Sequence, residues 1–339
     1  MSLHDNRNPI QFARWAVHGA RVSDMGSRRW LLRRFVRLTP ILVSLALPAI
    51  WLAWRCCSYL VQNRIISALE SQGAGFILDN PKPLLREFGA ACRGYRDVSM
   101  LVFETPVDLN LAAHLQGLVA IHFLDTVIRE DDIAPISRMH NLRTLTMTRV
   151  RVAASVWRQI ARLGNLRSLM IDSVEVGHDG LHSISSMVSL QRLYLQHCDI
   201  SDDAMTKLKE LQNLHAFGLR GSRITERGLA VLRGLPKLEV LDLGECGLND
   251  KSLESLVFCN SFRDLDLSGN PITDNAFRSI ELMKNLVTLH LNRTRITDAG
   301  LRGLQTRPAP MILYVRDTRV TEDAAACLRS LGFQVVTEH

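Results

Sequence analysis

Asp242, Asp266 and His290 follow one another at intervals of 24 residues, with Glu239, Glu245 and Asp264 close by in the chain. Two carboxylates and an imidazole can hold a divalent cation and activate its bound water, the chemistry of a metal-dependent hydrolase. Without a metal the same groups form an acidic patch that draws in a basic group of another molecule, and crowding of like charges raises a carboxylate pKa. A second arrangement is His178-Asp179-Gly180-Leu181-His182, because two histidines four apart on a helix can share a zinc ion. The sequence contains no phosphate-cradling glycine loop, nucleophile elbow or Cys-x-x-Cys pair.

Residues 24 apart meet only if the chain is coiled with that period, and it carries the pattern for such a coil. Asn141, Asn165, Ser189, Asn213, Lys237, Ser261 and Asn285 each open a block with apolar residues at its second, fifth and seventh positions. In one block Leu286, Leu289 and Leu291 alternate with Val287, Thr288, His290 and Asn292, which predicts a short strand with one buried face. A triplet follows, as in Ile224-Thr225-Glu226, Leu248-Asn249-Asp250, Ile272-Thr273-Asp274 and Ile296-Thr297-Asp298. It predicts a helix start: the aliphatic residue turns inward, the Ser, Thr or Asn caps free amides, and the carboxylate sits at the positive end of the helix dipole. Two positions on, a small residue such as Gly180, Gly228 or Gly300 lets the helix approach the strand layer. Compact groups at the tenth position (Cys198, Ser222, Cys246, Asn270, Thr294, Thr318) suit a tight turn. Trp157 is a local irregularity in an otherwise smaller column.

Stacking these blocks lines up their sixth positions: His122, Thr146, Met170, Tyr194, Gly218, Asp242, Asp266, His290 and Tyr314. Neighbours in such a column lie roughly 4.8 Å apart, so Asp242 and Asp266 are expected side by side with His290 next. The exposed strand face is basic and aromatic before the acids and basic again after them. We therefore expect a protein partner to be bound through Arg192, Tyr194, His215, Arg220, Glu239, Asp242, Glu245, Asp264, Asp266, His290, Arg293 and Tyr314. The same phase puts His178 and His182 on the outer helix surface, away from any deep pocket. An open strand face excludes little water, which weighs against the hydrolase.

The pattern Leu-x-x-Leu-x-Leu-x-x-(Cys/Asn/Thr)-x-Ile-Thr-Asp-x-Gly-Leu, nearly whole from Leu286 to Leu301, resembles the cysteine-containing class of leucine-rich repeats. At 24 residues, with Thr or Ser often in place of Cys, it is most similar to the arrays of membrane-anchored bacterial leucine-rich-repeat proteins. The resemblance implies an α/β solenoid, with a curved parallel sheet on the concave face and short helices on the convex face, and it implies a binding scaffold on that concave face. Nine blocks run from 117 to 332 within an array spanning 97–339; Val98, Leu101, Phe103 and Val107 form a degenerate first repeat, and Phe333 to Val336 a closing strand. An alternative is an intracellular substrate-recognition subunit similar to the F-box leucine-rich-repeat proteins, although no F-box helical pattern precedes the array.

Residues 1–37 hold eight arginines against two acids, a formal +6 of the chain's +7. The remainder is nearly neutral, which argues against a nucleic-acid partner for the array. Leu38 to Trp54 carries no charge, follows Arg33, Arg34 and Arg37, and is flanked by Trp30, Trp51, Trp54 and Tyr59. Residues 38–57 are thus expected to be a single transmembrane anchor, short but with interfacial aromatics, its basic side cytoplasmic and the array extracytoplasmic. A cleaved signal peptide is the rival, disfavoured by the long charged region and a poor cleavage site at Leu47-Pro48-Ala49. Residues 58–96 read as a helix-strand-helix cap, with helices over 58–71 and 83–91 and a strand over 76–78. Seven cysteines without framework spacing point to buried thiols, and Cys56 and Cys57 at the membrane edge are candidates for acylation. No cofactor and no small-molecule substrate is expected.

Overall fold

The computed structural model describes residues 61–72, 74–79, 97–103, 109–115, 117–259, 261–307 and 309–337. All lie in one compact unit, Val61–His339. The expected anchor at 38–57 and helix at 83–91 fall outside the described residues. Among those described, no helix is long and apolar enough to cross a membrane.

The unit is built on a sheet of 12 strands taken in chain order. Ala74–Asp79 pairs antiparallel with Asp97–Phe103, and every later neighbour is parallel, from Ala120–Leu124 to Gln334–Val336. The fifth positions decide the register. Ile121, Leu145, Leu169, Leu193, Phe217, Leu241, Leu265, Leu289 and Leu313 stand opposite one another and are all 0% exposed. A one-residue slip would turn this column onto the polar face, so burial pins the register. Truncating one of these leucines to alanine costs about 2–5 kcal/mol.

Each strand is followed by a left-handed residue at the ninth position: Asp125, Arg149, Ser173, His197, Gly221, Glu245, Gly269, Arg293 and Asp317, with φ between +50° and +74°. From Asp125 to Arg293, its amide donates to the eighth-position carbonyl of the next block, as in His197 to Arg220 at 2.7 Å and Glu245 to Ser268 at 2.8 Å. The chain therefore turns away from the sheet without breaking the ladder. Glycine adopts this conformation readily, but only two of the nine positions use it, so backbone bonding outweighs a steric cost of roughly 1 kcal/mol at the others.

The helical segments pack on one side of the sheet and begin at the expected triplets. Thr225, Asn249, Thr273, Thr297 and Thr321 accept first-turn amide hydrogen bonds, whereas Ser201 makes no such bond. The carboxylate does more than face the helix dipole, because it bridges two repeats. Asp274 accepts the Thr297 amide at 2.8 Å and its hydroxyl at 2.6 Å, and Asp250, Asp202 and Asp298 hold Thr273, Thr225 and Thr321 in the same way. This explains the small residue two positions later, and corrects the expected reason for it. A Cβ on Gly300 would stand 2.6 Å from the Asp274 carboxylate and 2.5 Å from Phe277, so the space is needed by the preceding repeat rather than by the strand layer. Trp157 fits by the same device: it is 2% exposed and would meet a Cβ on Gly180 at 3.0 Å.

The tenth-position groups bond turn carbonyls, Cys198 to Gln196 at 3.0 Å, Cys246 to Leu219 at 3.2 Å and Asn270 to Leu243 and Leu267 at 2.8 Å. The Ser222 hydroxyl, buried in the same column, finds no partner among the described residues. At the N-terminal end residues 61–71 are helical, with Ile66 and Leu69 in the core.

Candidate functional site

On the sheet face opposite the helices, the sixth-position column is continuous. Tyr194 stands against Gly218, Gly218 against Asp242, Asp242 against Asp266, Asp266 against His290 and His290 against Tyr314. The strand alternation that buries Leu241 and Leu265 turns Asp242 and Asp266 outward, side by side.

The two acids are not bare. Arg220, at the eighth position of the block before them, lies along the face and bridges both. Its guanidinium donates to Asp242 through Nε at 3.3 Å and Nη2 at 3.0 Å, donates to Asp266 through Nη2, and stands 3.5 Å from Glu245. Burial alone would lower the Arg220 pKa, but Asp242, Asp266 and Glu245 outweigh it and hold the value above the ordinary one. Backbone amides finish the arrangement, Gly244 donating to Asp242 at 3.0 Å and Ser268 to Asp266 at 2.8 Å. Glu245 then passes over Gly269 to accept from Arg293 at 2.8 Å, two blocks away. Two glycines make room. A Cβ on Gly244 would strike the Arg220 guanidinium, and one on Gly269 would lie 2.6 Å from Glu245 Cγ.

Beside this network His290 and Tyr314 stack with ring centroids 4.2 Å apart and planes 3° from parallel. Asp264 lies 3.6 Å from His290 Nε2 and makes no hydrogen bond through its carboxylate among the described residues. Burial first, and then the nearby Asp266 and Asp242, push its pKa up against the opposing pull of His290. Burial is thus the main cause at Asp264, and the like-charge crowding expected from the sequence adds a smaller push in the same direction. Tyr194 lies over Gly218, and burial followed by the charge of Asp242 raises its pKa.

The geometry carries the signature of a repeat family, and the comparison with family models agrees. The leucine-rich-repeat model matches residues 186–209, 234–257, 258–278 and 283–304. The chain is a leucine-rich-repeat protein. No curated protein sequence matches it significantly. Among solved structures, it is similar to an internalin (inlF) from Listeria monocytogenes str. 4b F2365, with TM-score 0.49 and 18% identity, over 68% of this chain and 71% of that one. It is also similar to an internalin C2 (inlC2) of the same strain, with TM-score 0.45 and 22% identity, over 62% of this chain and 82% of that one. The assignment rests on the matched repeats and their stacking, not on these two likenesses.

In this leucine-rich-repeat protein the other sequence-derived candidates take separate places. Arg192 is exposed on the strand before Gly218, and His215 bonds its own turn at the Asn213 carbonyl, 2.8 Å away. Glu239 belongs to an open depression of about 400 Å³ at the strand N-termini, lined also by Lys237, Arg263 and Asn285. His178 and His182 are exposed on the outer helix face, as the repeat phase requires. Among the described residues no group of three or more His, Cys, Asp or Glu is placed to hold a metal ion. Of the eighth positions the sequence reading placed only Arg220 in the site; the structure adds two more, as Asp172 receives His197 Nδ1 at 2.9 Å and Gln196 reaches Asp242 at 3.5 Å. Aligning Asp172, Gln196, Arg220, Gly244 and Ser268 by the period would have exposed that column.

Proposed function

We propose that this leucine-rich-repeat protein is a binding scaffold that docks a protein partner on the open sheet face between Tyr194 and Tyr314. The observation that carries this is the ordered polar layer there. Arg220, Asp242, Asp266, Glu245 and Arg293 form one connected set on a rigid sheet, flanked by aromatic rings. Preorganised polar groups beside Tyr and Arg side chains suit protein recognition, and the shallow face offers no enclosed pocket for chemistry on a small substrate. We read the protein as a non-enzymatic scaffold. The test is capture of partners by the full-length chain and by two variants, Tyr194→Ala/Tyr314→Ala on the open face and His178→Ala/His182→Ala on the helical face. Loss with the first variant alone supports the reading. Equal capture by all three proteins refutes it.

We further propose that residues 38–57 tether the array to a membrane, with the basic tail cytoplasmic and the repeats on the other side. The support is in the sequence, an uncharged apolar run with arginines on one flank and aromatics at both ends. Retention of the full-length chain in the membrane pellet after alkaline extraction, with the C-terminal end cleaved by protease added to intact cells, is the expected result. Release into the supernatant overturns it.

A further inference from the structure

We infer that the face beside Asp264 receives an arginine side chain from a basic segment of the partner protein, a reading that rests on the scaffold function proposed above. Arg220 already shows what this layer accepts: one guanidinium of the chain's own spans Asp242 and Asp266. Asp264, two residues before Asp266 on the same strand, has no such counterpart. Its side chain is 39% exposed, its carboxylate takes part in no hydrogen bond among the described residues, and it stands 3.6 Å from the His290 ring. An ionised carboxylate can accept several hydrogen bonds, so this one is open to a donor from outside.

The flanking surface selects among donors. The His290 ring lies next to the carboxylate and is backed by the parallel Tyr314 ring on the following strand. A planar guanidinium can stack on such rings while its N–H groups reach Asp264, which a compact ammonium does less well and a metal ion not at all. A second sign of an unfilled layer is Ser268, 4% exposed, whose hydroxyl has no partner among the described residues. Its position is equivalent to Gly244, where a Cβ would run into the Arg220 guanidinium, so side chains at this position point into the polar layer. Bulk attraction does not account for binding of a cation here, because the chain carries a formal net charge of +7.

Fluorescence anisotropy with the full-length chain tests this, using labelled octa-arginine, octa-lysine and octa-glutamate peptides. Octa-arginine should bind best, weakened about tenfold by the isosteric Asp264→Asn and about fivefold by Tyr314→Ala, in line with one charged contact and one stacking contact. His178→Ala, on the outer helix face, should leave it unchanged. Equal octa-arginine binding by the wild type and both variants overturns the inference, as does preferential binding of octa-glutamate. Octa-arginine should also displace a captured partner that depends on the open face. If it does not, the arginine inference falls while the scaffold reading stands; if no captured protein depends on that face, both fall.

Discussion

Arg220 shows how one side chain sets the character of this face. With 20% of its side chain exposed, against 16% for Asp242 and 21% for Asp266, it belongs to a part-buried triad rather than a surface pair. Arg220→Met should therefore lower stability by more than the roughly 0–1 kcal/mol of an exposed ion pair. Adding Asp266→Asn should restore part of the loss by removing like-charge repulsion; denaturant unfolding of the single and double variants measures both. Asp264 works in the opposite sense. Its folded-state pKa is raised, so the folded state holds its proton more tightly than the unfolded chain, and stability falls as pH rises through that window. Asp264→Asn should raise the melting temperature at pH 7, and the gain should shrink as pH falls below the elevated pKa. A gain that persists in acid would contradict this account. Burial holds the Cys198 and Cys246 thiols at about 11. Both should resist iodoacetamide at neutral pH while exposed Cys327 reacts, as peptide mass spectrometry of the native protein can show.

Among the elements, the strand and the helix are coupled to their neighbours by different means. The strand relies on buried leucines and on the left-handed turn; the helix relies on one carboxylate per repeat. Asp274→Ala would leave the amide and hydroxyl of Thr297 without their acceptor, at a cost of about 1–3 kcal/mol. A double-mutant cycle of Asp274→Ala with Thr297→Ala should give a coupling clearly different from zero, whereas pairing Asp274→Ala with Thr321→Ala, one repeat further on, should be nearly additive. Sequence reading finds the triplet and its caps because they are local. It does not find the bridge to the next repeat, because a carboxylate at a helix start has a sufficient local explanation in the dipole.

At the scale of the whole unit, each repeat touches chiefly its neighbours, so stability is a sum of repeat and interface contributions. A lesion in the middle should loosen the rungs around it before it unfolds the ends. Hydrogen exchange of Asp274→Ala should show lost protection in the strands Asp264–Asp266 to Ile312–Tyr314 and retained protection in Ala120–Leu124 and Thr144–Thr148. Uniform loss across the sheet would mean that the array unfolds as a single cooperative block.

The period, the apolar column and the sixth-position order of Tyr194, Gly218, Asp242, Asp266, His290 and Tyr314 follow from the sequence alone, because a fixed repeat length converts spacing along the chain into spacing across the sheet. The sequence likewise marks the acids, since their types are visible wherever they sit. Only the tertiary structure decides which acid is neutralised. Arg220 lies 22 residues before Asp242, off the 24-residue period, and it reaches both Asp242 and Asp266 because Gly244 leaves the path open. Side-chain direction on a crowded face depends on what neighbouring rungs leave empty, and no single repeat carries that information.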